Sequence, residues 1–578
     1  MPDPQLVLAE RVGDALVAAF GPEFTGTDPV IRPSQFADYQ ANVALPLAKR
    51  LRRPPRDVAA ALVEHLDVAD VCDEVEVSGP GFVNFRLSEG WIAGQAQGLL
   101  GDDRLGVPVA AKPQVIPVDY SAPNIAKEMH VGHLRTTVVG DALARTLEFR
   151  GHQVIRQNHI GDWGTMFGML IEHLLDVGEE SAEAGLLKSD PNAFYQAARN
   201  RFASDEEFAE RSRRRVVALQ SGDEATLELW QELVDLSKVY FNKVYAKLGV
   251  TLTDADLAGE SMYNKWLSEV CDELEAKGIA VMSEGALCVF LDGFTGREGK
   301  PVPLIIRKSD GGYGYATTDL AAIRYRVRDL HADRIVYVIG TPQALHLKMV
   351  YETAHKAGWL PDDVRPVHVN IGNVLGTDGK ILRTRAGSSI RLMELLDEAV
   401  ARAREVVAET RPDLDEGTRA KIAEDVGIGA IKYADLSTAH DSEYTFSFDR
   451  MLALNGNTGP YLQYAAARIR SIFRKGGGAP SEATEPIVLG EPAERALALT
   501  LLGFGDAVRQ VDELLEPHRL CAYLYELASA FTTFYESCPV LKAPDDATRD
   551  SRLALSALTL GVLVQGLALL GVRAPEEM

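Results

Sequence analysis

His130-Val-Gly-His133 is the stretch whose residue types and spacing most directly suggest chemistry. Imidazole donors can hold phosphate oxygens as charge grows on them during phosphoryl or nucleotidyl transfer. Gly132 has no Cβ, so a flat base or a phosphate could approach the main chain closely. Taken alone, the two histidines could equally be a metal pair or a helix cap, because a four-residue pattern arises often by chance. Their setting adds weight to the first reading. They follow the apolar run Val115-Ile-Pro-Val-Asp-Tyr120 and precede Leu134, Val138, Val139, Ala142, Leu143 and Leu147, one stripe at helical spacing. That pattern predicts a hinge where a parallel strand gives way to a helix. A helix N-terminus favours anions, and strand ends of this kind face the ligand crevice of open α/β sheets.

Three other groups stand out. The loop Gly376-Thr-Asp-Gly-Lys-Ile-Leu-Arg-Thr-Arg-Ala-Gly-Ser388 gathers Lys380, Arg383 and Arg385 among glycines just after an expected strand. That composition suits a mobile phosphate clamp or an ordinary surface hairpin. Asp319 lies four residues after Tyr315, so one helical turn would put both on one side; by itself Asp319 also reads as a helix N-cap. Lys49, Arg50, Arg52, Arg53 and Arg56 form a dense basic cluster, either a solvated helix end or a contact for a phosphate backbone.

The elements that must position these groups follow from pattern. The chain has 578 residues, which at about 100–200 residues per domain predicts three or four domains. Hydrophobic residues are 46% and charged residues 25%, ordinary for a globular protein with ample core. A net charge of -23 argues against nucleic-acid binding by bulk charge but leaves room for a local basic face. Five cysteines without CxxC spacing read as free thiols, and no metal site is expected. No signal-peptide core and no run of about 18 apolar residues appear, so a cytoplasmic protein without a membrane span is expected.

Residues 1–110 read as a small α+β module: helices at 4–20, 45–56 and 58–66, then a hairpin around Ser78-Gly-Pro-Gly81. Residues 111–390 read as a β-α-β nucleotide-binding domain with right-handed crossovers. Within it, 179–280 is a charged helical insertion without visible chemistry, and the sheet is expected to resume near 286. Its last strand is expected to run from 364 to 375. Residues 391–450 connect to an all-helical bundle, 451–578.

Several collinear blocks together resemble the arginyl-tRNA synthetases, a family of class I aminoacyl-tRNA synthetases. They are SAPNIAKEMHVGH, IGDWGTMFG, GYGYATTDLAAIRYR, YVIGTPQALHLKMV, GKILRTRAG, KYADLSTAH and NGNTGPYLQYAAARI, with FADYQAN and GPGFVNF before them and LLGVRAPEEM at the end. The resemblance spans essentially the whole chain. It implies a Rossmann-type, doubly wound catalytic domain with an N-terminal α+β add-on module and a C-terminal anticodon-binding bundle. It also implies a ligase that activates L-arginine with ATP, accompanied by Mg2+, and transfers it to tRNA(Arg), acting as a monomer. A shorter adenylyltransferase shares the histidine pattern but needs no helical bundle. A duplicate that resists an arginine-like inhibitor would share every block.

Residue roles are likewise implied by the resemblance. His130 and His133 contact ATP and stabilise the α-phosphate, Gly132 admits the adenine, and Gly340 also lies against ATP. The second class I motif, usually KMSKS, departs here: Ile381-Leu-Arg-Thr-Arg385 has no lysine at the usual catalytic place. Lys127 is implied as its substitute, supported by Lys380 and Arg383. Asp319 meets the guanidinium, with Tyr315 in the same pocket. Asp119, Ser121, Asn124 and Gln343 hold the rest of the amino acid. Tyr461, Tyr464 and Arg468 meet tRNA, or the two tyrosines are core, and the basic cluster near residue 50 meets the tRNA backbone.

Overall fold

The protein is described here from a computed structural model, which covers residues 3–178, 180–296, 299–383, 390–476 and 486–578. At its centre is a parallel sheet in the order Arg365–Ile371, Arg334–Gly340, Val115–Asp119, Gln153–Gln157. The chain lays its second strand on one side of the first and the later two on the other. The doubly wound topology therefore reverses between Val115–Asp119 and Arg334–Gly340, which puts the ligand crevice at their C-terminal ends. Ile116, Val118, Ile335, Val336 and Val338 are fully buried, as strands covered by helices on both faces require.

The chain after residue 280 differs from expectation. Strands Ala280–Ser283, Ala286–Thr295 and Pro301–Arg307 do not rejoin the central sheet. They form a separate antiparallel sheet. The reason is visible in the last of them: Leu304 and Ile306 are buried while Pro303 and Ile305 face out, the alternation of a half-covered antiparallel ladder. The strand expected up to Leu375 breaks at Gly372, where a Cβ would sit 2.6 Å from the Ser442 carbonyl oxygen. Val374–Leu375 then pairs with Tyr444–Thr445. The expected 45–56 helix is Ala44–Leu51, closed by Arg52 in the left-handed conformation, and Pro55–Val63 follows.

The helix after the histidines, Val131–Phe149, is the strut of the molecule. It packs on Leu392–Thr410, Glu416–Leu436, Phe504–Leu514 and Asp546–Leu569. Its approach to the first strand is close enough that a Cβ on Gly140 would overlap Tyr120. Buried ion pairs fix its flanks. Arg135 Nε meets Asp435 at 2.6 Å, and Arg135 Nη1 donates to the Ser442 carbonyl at 2.7 Å. At its far end Arg150, His152 and Arg334 converge on Asp512 of the C-terminal bundle, at 3.2, 3.1 and 2.9 Å.

The N-terminal sheet runs Ile31–Pro33, Tyr39–Ala41, Phe82–Leu87, Cys72–Ser78, all antiparallel, with the expected hairpin at its end. It docks on the C-terminal bundle through Arg495, which binds both Asp38 oxygens at 2.9 and 2.8 Å and donates to the Leu87 carbonyl. The terminal helix Asp546–Leu569 is long and apolar enough to cross a membrane, with a mean hydropathy of 1.7. Here it is a core helix, with Leu555, Val562, Leu563 and Leu567 fully buried. All five cysteines are buried and free.

Replacing Gly140 by alanine forces the strut off the strand. Overpacking of this kind costs about 1–3 kcal/mol. A thermal melt of Gly140→Ala should show a lower Tm, and an unchanged or higher Tm would show that the contact gives way freely.

Candidate active site

The strand–helix hinge is where the sequence placed it. His130 is the N-cap of Val131–Phe149, and the two histidines build a reciprocal cap. The Gly132 N–H donates to His130 Nδ1 at 3.0 Å, and the His130 N–H donates to His133 Nδ1 at 3.1 Å. Capping and ligand binding are therefore not alternatives. Each Nδ1 accepts a main-chain proton, so each ring carries its own proton on Nε2, the atom left to donate. Gly132 serves the cap as well: a Cβ there would lie 2.7 Å from His130 Cε1. Burial, then the charge of Lys127, lowers His130 below the usual imidazole range. Burial, with His130 and Lys127 adding to it, pushes His133 down to about 3. Both rings are thus neutral donors near neutral pH.

The loop leading into the hinge is strained. Ser121, Ala122 and Ala126 have positive φ values of 70°, 46° and 55°, a cost that persists only where the surroundings hold it. The insertion and the second strand's end supply the hold. Ser121 Oγ lies 2.8 Å from the Tyr245 hydroxyl and accepts from Thr137. The Ala122 N–H donates to Asn158 and the Ala126 N–H to Ser237. Lys127 Nζ sits over the Tyr195 ring at 4.1 Å, and Glu128 accepts from Asn192. The insertion, in which the sequence showed no chemistry, is the clamp on this loop. Asn124 is exposed and bridges to Gly161.

Lys380 and Arg383 are exposed, on a hairpin closed by the Gly376 N–H to the Lys380 carbonyl. Arg385 lies outside the described residues. Where the chain returns, the Val131 N–H donates to the Ile390 carbonyl, and Arg391 pairs with Glu128 and Asp190. The far end of this loop is thereby fastened to the histidine hinge.

The two carboxylates singled out by sequence have opposite surroundings. Asp119, at the end of the first strand, is buried and bound by Arg326 at 2.7 Å. Asp319 is the fifth residue of Tyr315–Arg328, whose N-cap is Gly314, so it is not a cap. Its Oδ2 accepts from His346 Nε2 at 2.6 Å, and His159 Nε2 lies 3.9 Å from Oδ1. Among the described residues no arginine or lysine pairs with it. Glu260, which the sequence reading missed, lies close by: desolvation, then the charges of Asp319 and Asp162, push its carboxyl up to about 8. Tyr315 is exposed and sets its ring against His346, 4.7 Å between centroids. A cavity of about 580 Å³ is lined by Trp163, Glu260, Lys308, Tyr313, Tyr315 and His346. Half-buried Gly340 ends the strand Arg334–Gly340, and exposed Gln343 ends the turn Thr341–Gln343. Among the described residues no group of three or more His, Cys, Asp or Glu side chains could hold a metal.

On Gly459–Gly476, Tyr464 is exposed, Tyr461 is half-buried against Tyr525, and Arg468 stacks on Tyr535 at 4.3 Å. The tyrosines thus divide between surface and packing. The basic cluster near residue 50 is exposed, with Arg50 over Phe24.

Known families and proteins resemble this chain along its whole length. Residues 95–448 match the family described as tRNA synthetases class I (R), catalytic domain, and residues 462–578 match the DALR anticodon binding domain. The fold is therefore that of a class I aminoacyl-tRNA synthetase. Residues 6–87 match the arginyl tRNA synthetase N terminal domain. An arginine–tRNA ligase of Thermobifida fusca is 74% identical over 578 residues, 100% of both chains, and one of Frankia casuarinae is 54% identical over 96% of both. Solved arginyl-tRNA synthetases of Plasmodium falciparum (TM-score 0.85, 29% identity, 100% of both chains) and Thermus thermophilus (TM-score 0.81, 27% identity, 99% of this chain and 100% of that one) share the whole architecture. The chain belongs to the arginyl-tRNA synthetase family.

The cap fixes a testable protonation state. An unfolded histidine takes up a proton near 6.5 and His133 only near 3, so the unfolded chain binds more protons between these values. This group therefore withdraws stability as pH falls from about 6.5 toward 3. Ring-nitrogen NMR of histidine-labelled protein should show both residues as Nε2–H tautomers, with His133 neutral down to about pH 5. An imidazolium signal from His133 at that pH would contradict the geometry.

Proposed function

We propose that the hinge and the cavity beside it are the two halves of the site in which this arginine–tRNA ligase activates its amino acid. The arginine carboxylate attacks the α-phosphorus of ATP and pyrophosphate leaves. The 3′-terminal ribose hydroxyl of tRNA then attacks the arginyl carbonyl and AMP leaves. In this reading the Nε2–H groups of His130 and His133 donate to the α-phosphate as it gains charge, the kind of preorganised donor that stabilises a transition state. Gly132 and Gly340 leave room for the nucleotide. Lys127 swings from Tyr195 onto the phosphates and supplies the charge that the second motif lacks, with Lys380 and Arg383 as auxiliaries. Mg2+ arrives with the ATP phosphates.

Arginine lies with its guanidinium against Asp319 and Glu260 beneath Tyr315, and its α-carbon end toward Asn124, Ser121 and Gln343. Asp119 acts through the main-chain end of the pocket, its charge already balanced by Arg326. The observation that carries the proposal is Asp319 and Glu260 together, two carboxylates near enough to raise one another and, among the described residues, neither in an ion pair with an arginine or lysine. A planar cationic fork answers that deficit, and an uncharged side chain would leave it standing. Tyr464, Arg468 and the exposed basic residues near 50 meet tRNA, and Tyr461 supports them. The free, buried cysteines agree with a cytoplasmic enzyme, and the N-terminal docking through Arg495 with a self-contained monomer.

Arginine-dependent ATP–pyrophosphate exchange in the presence of tRNA tests the assignment. Lys127→Met should lower kcat about 10²- to 10³-fold, the usual loss of one transition-state donor, with tRNA affinity unchanged. Arg383→Ala should cost less. A fall in tRNA affinity, or a larger loss from Arg383→Ala, would remove Lys127 from the catalytic role.

A further inference from the structure

We infer that His346 is a positioning residue for arginine recognition, which fixes the plane of the Asp319 carboxylate so that it can receive a planar guanidinium. The inference rests on Asp319 being the guanidinium ligand. The geometry is specific. His346 Nε2 donates to Asp319 Oδ2 at 2.6 Å, and its ring is held in turn by the edge of Tyr315. His346 and Asp319 are both largely buried, their side chains 14% and 22% exposed. A second imidazole, His159, flanks the other oxygen.

The donor's chemistry matters as much as its position. A guanidinium makes two parallel N–H···O bonds only when it is coplanar with the carboxylate. A carboxylate free to turn about its Cβ–Cγ bond would lose entropy on binding. One N–H from His346 removes that freedom and occupies one lone pair, and it leaves the other lone pairs of the carboxylate for the ligand. An arginine in the same place would cancel the charge, as Arg326 does for Asp119. The contrast between the two aspartates within one chain is the basis for assigning His346 to recognition. His346 also stands one turn after Gln343, so a single helix start carries both residues.

The test is arginine-dependent ATP–pyrophosphate exchange, with tRNA present, for the wild type and for Asp319→Asn, His346→Ala, His346→Gln and His346→Asn. His346→Ala should raise the KM for arginine about 10- to 100-fold, the loss expected of one hydrogen bond to a charged group, with kcat and the KM for ATP unchanged. Glutamine places an amide N–H near the former Nε2 and should restore most of the affinity. Asparagine falls short and should not. If Asp319→Asn raises the KM for arginine and His346→Ala does not, the positioning role is wrong and the pocket reading survives. If Asp319→Asn has no effect, the pocket reading fails and takes this inference with it. Equal behaviour of the glutamine and asparagine variants, or losses in kcat and ATP affinity as large as that for arginine, would reduce His346 to packing and overturn the proposal.

Discussion

A carboxylate taken out of water must be given a positive charge or a proton. Throughout most of this chain its own residues give the charge: Arg326 to Asp119, Arg135 to Asp435, Arg145 to Asp141, Arg552 to Glu494, and Arg150 and Arg334 to Asp512. Not every carboxylate is treated so: Asp3 and Asp162 are buried without an arginine or lysine ion pair among the described residues, and Asp319 and Glu260 lie near each other without one. Asp319 is met by imidazole, and Glu260 is pushed toward its protonated form. In the proposed reading the missing cation is the substrate's guanidinium, so specificity is written as a local deficit of charge.

The same balance builds the frame around that deficit. Val131–Phe149 begins at the histidine hinge and ends against the C-terminal bundle, and buried ion pairs hold it at both ends. Such pairs are costly to break one partner at a time, which favours a single arrangement of catalytic domain and bundle. The insertion adds the third hold, because Ser237 and Tyr245 anchor the left-handed residues just ahead of the histidines. A strained loop held from three sides keeps the neutral Nε2–H donors in place, and in the proposed reading they meet the phosphate without reorganising as it gains charge.

How much of this was legible in the sequence depended on range. The hinge could be read because strand, glycine and helical stripe lie within 35 residues of one another and each leaves a periodic or steric mark. The bundle and the N-terminal hairpin were legible for the same reason. The antiparallel sheet of 280–307 was assigned to the wrong partner, since a short apolar run does not say which sheet it joins. Asp119 and Asp319 looked alike on paper because the arginine that neutralises one of them lies 207 residues away. Glu260 carried no local signal, sitting in a charged segment far from every motif. His346 did have one, the one-turn spacing from Gln343, but only the structure shows what its nitrogen faces.

In the proposed pocket Glu260 and Asp319 await a cation, and proton counting measures that directly. With its carboxyl near 8, Glu260 is mostly protonated at neutral pH in the free protein and should ionise when a guanidinium arrives. Isothermal titration of arginine into the protein near pH 7, repeated in buffers of different ionisation enthalpy, should therefore report release of close to one proton per arginine. Affinity should rise with pH up to about 8, and the release should vanish in Glu260→Gln. Binding with no proton release, or release that persists in Glu260→Gln, would contradict the claim that this pair of carboxylates defines the arginine pocket.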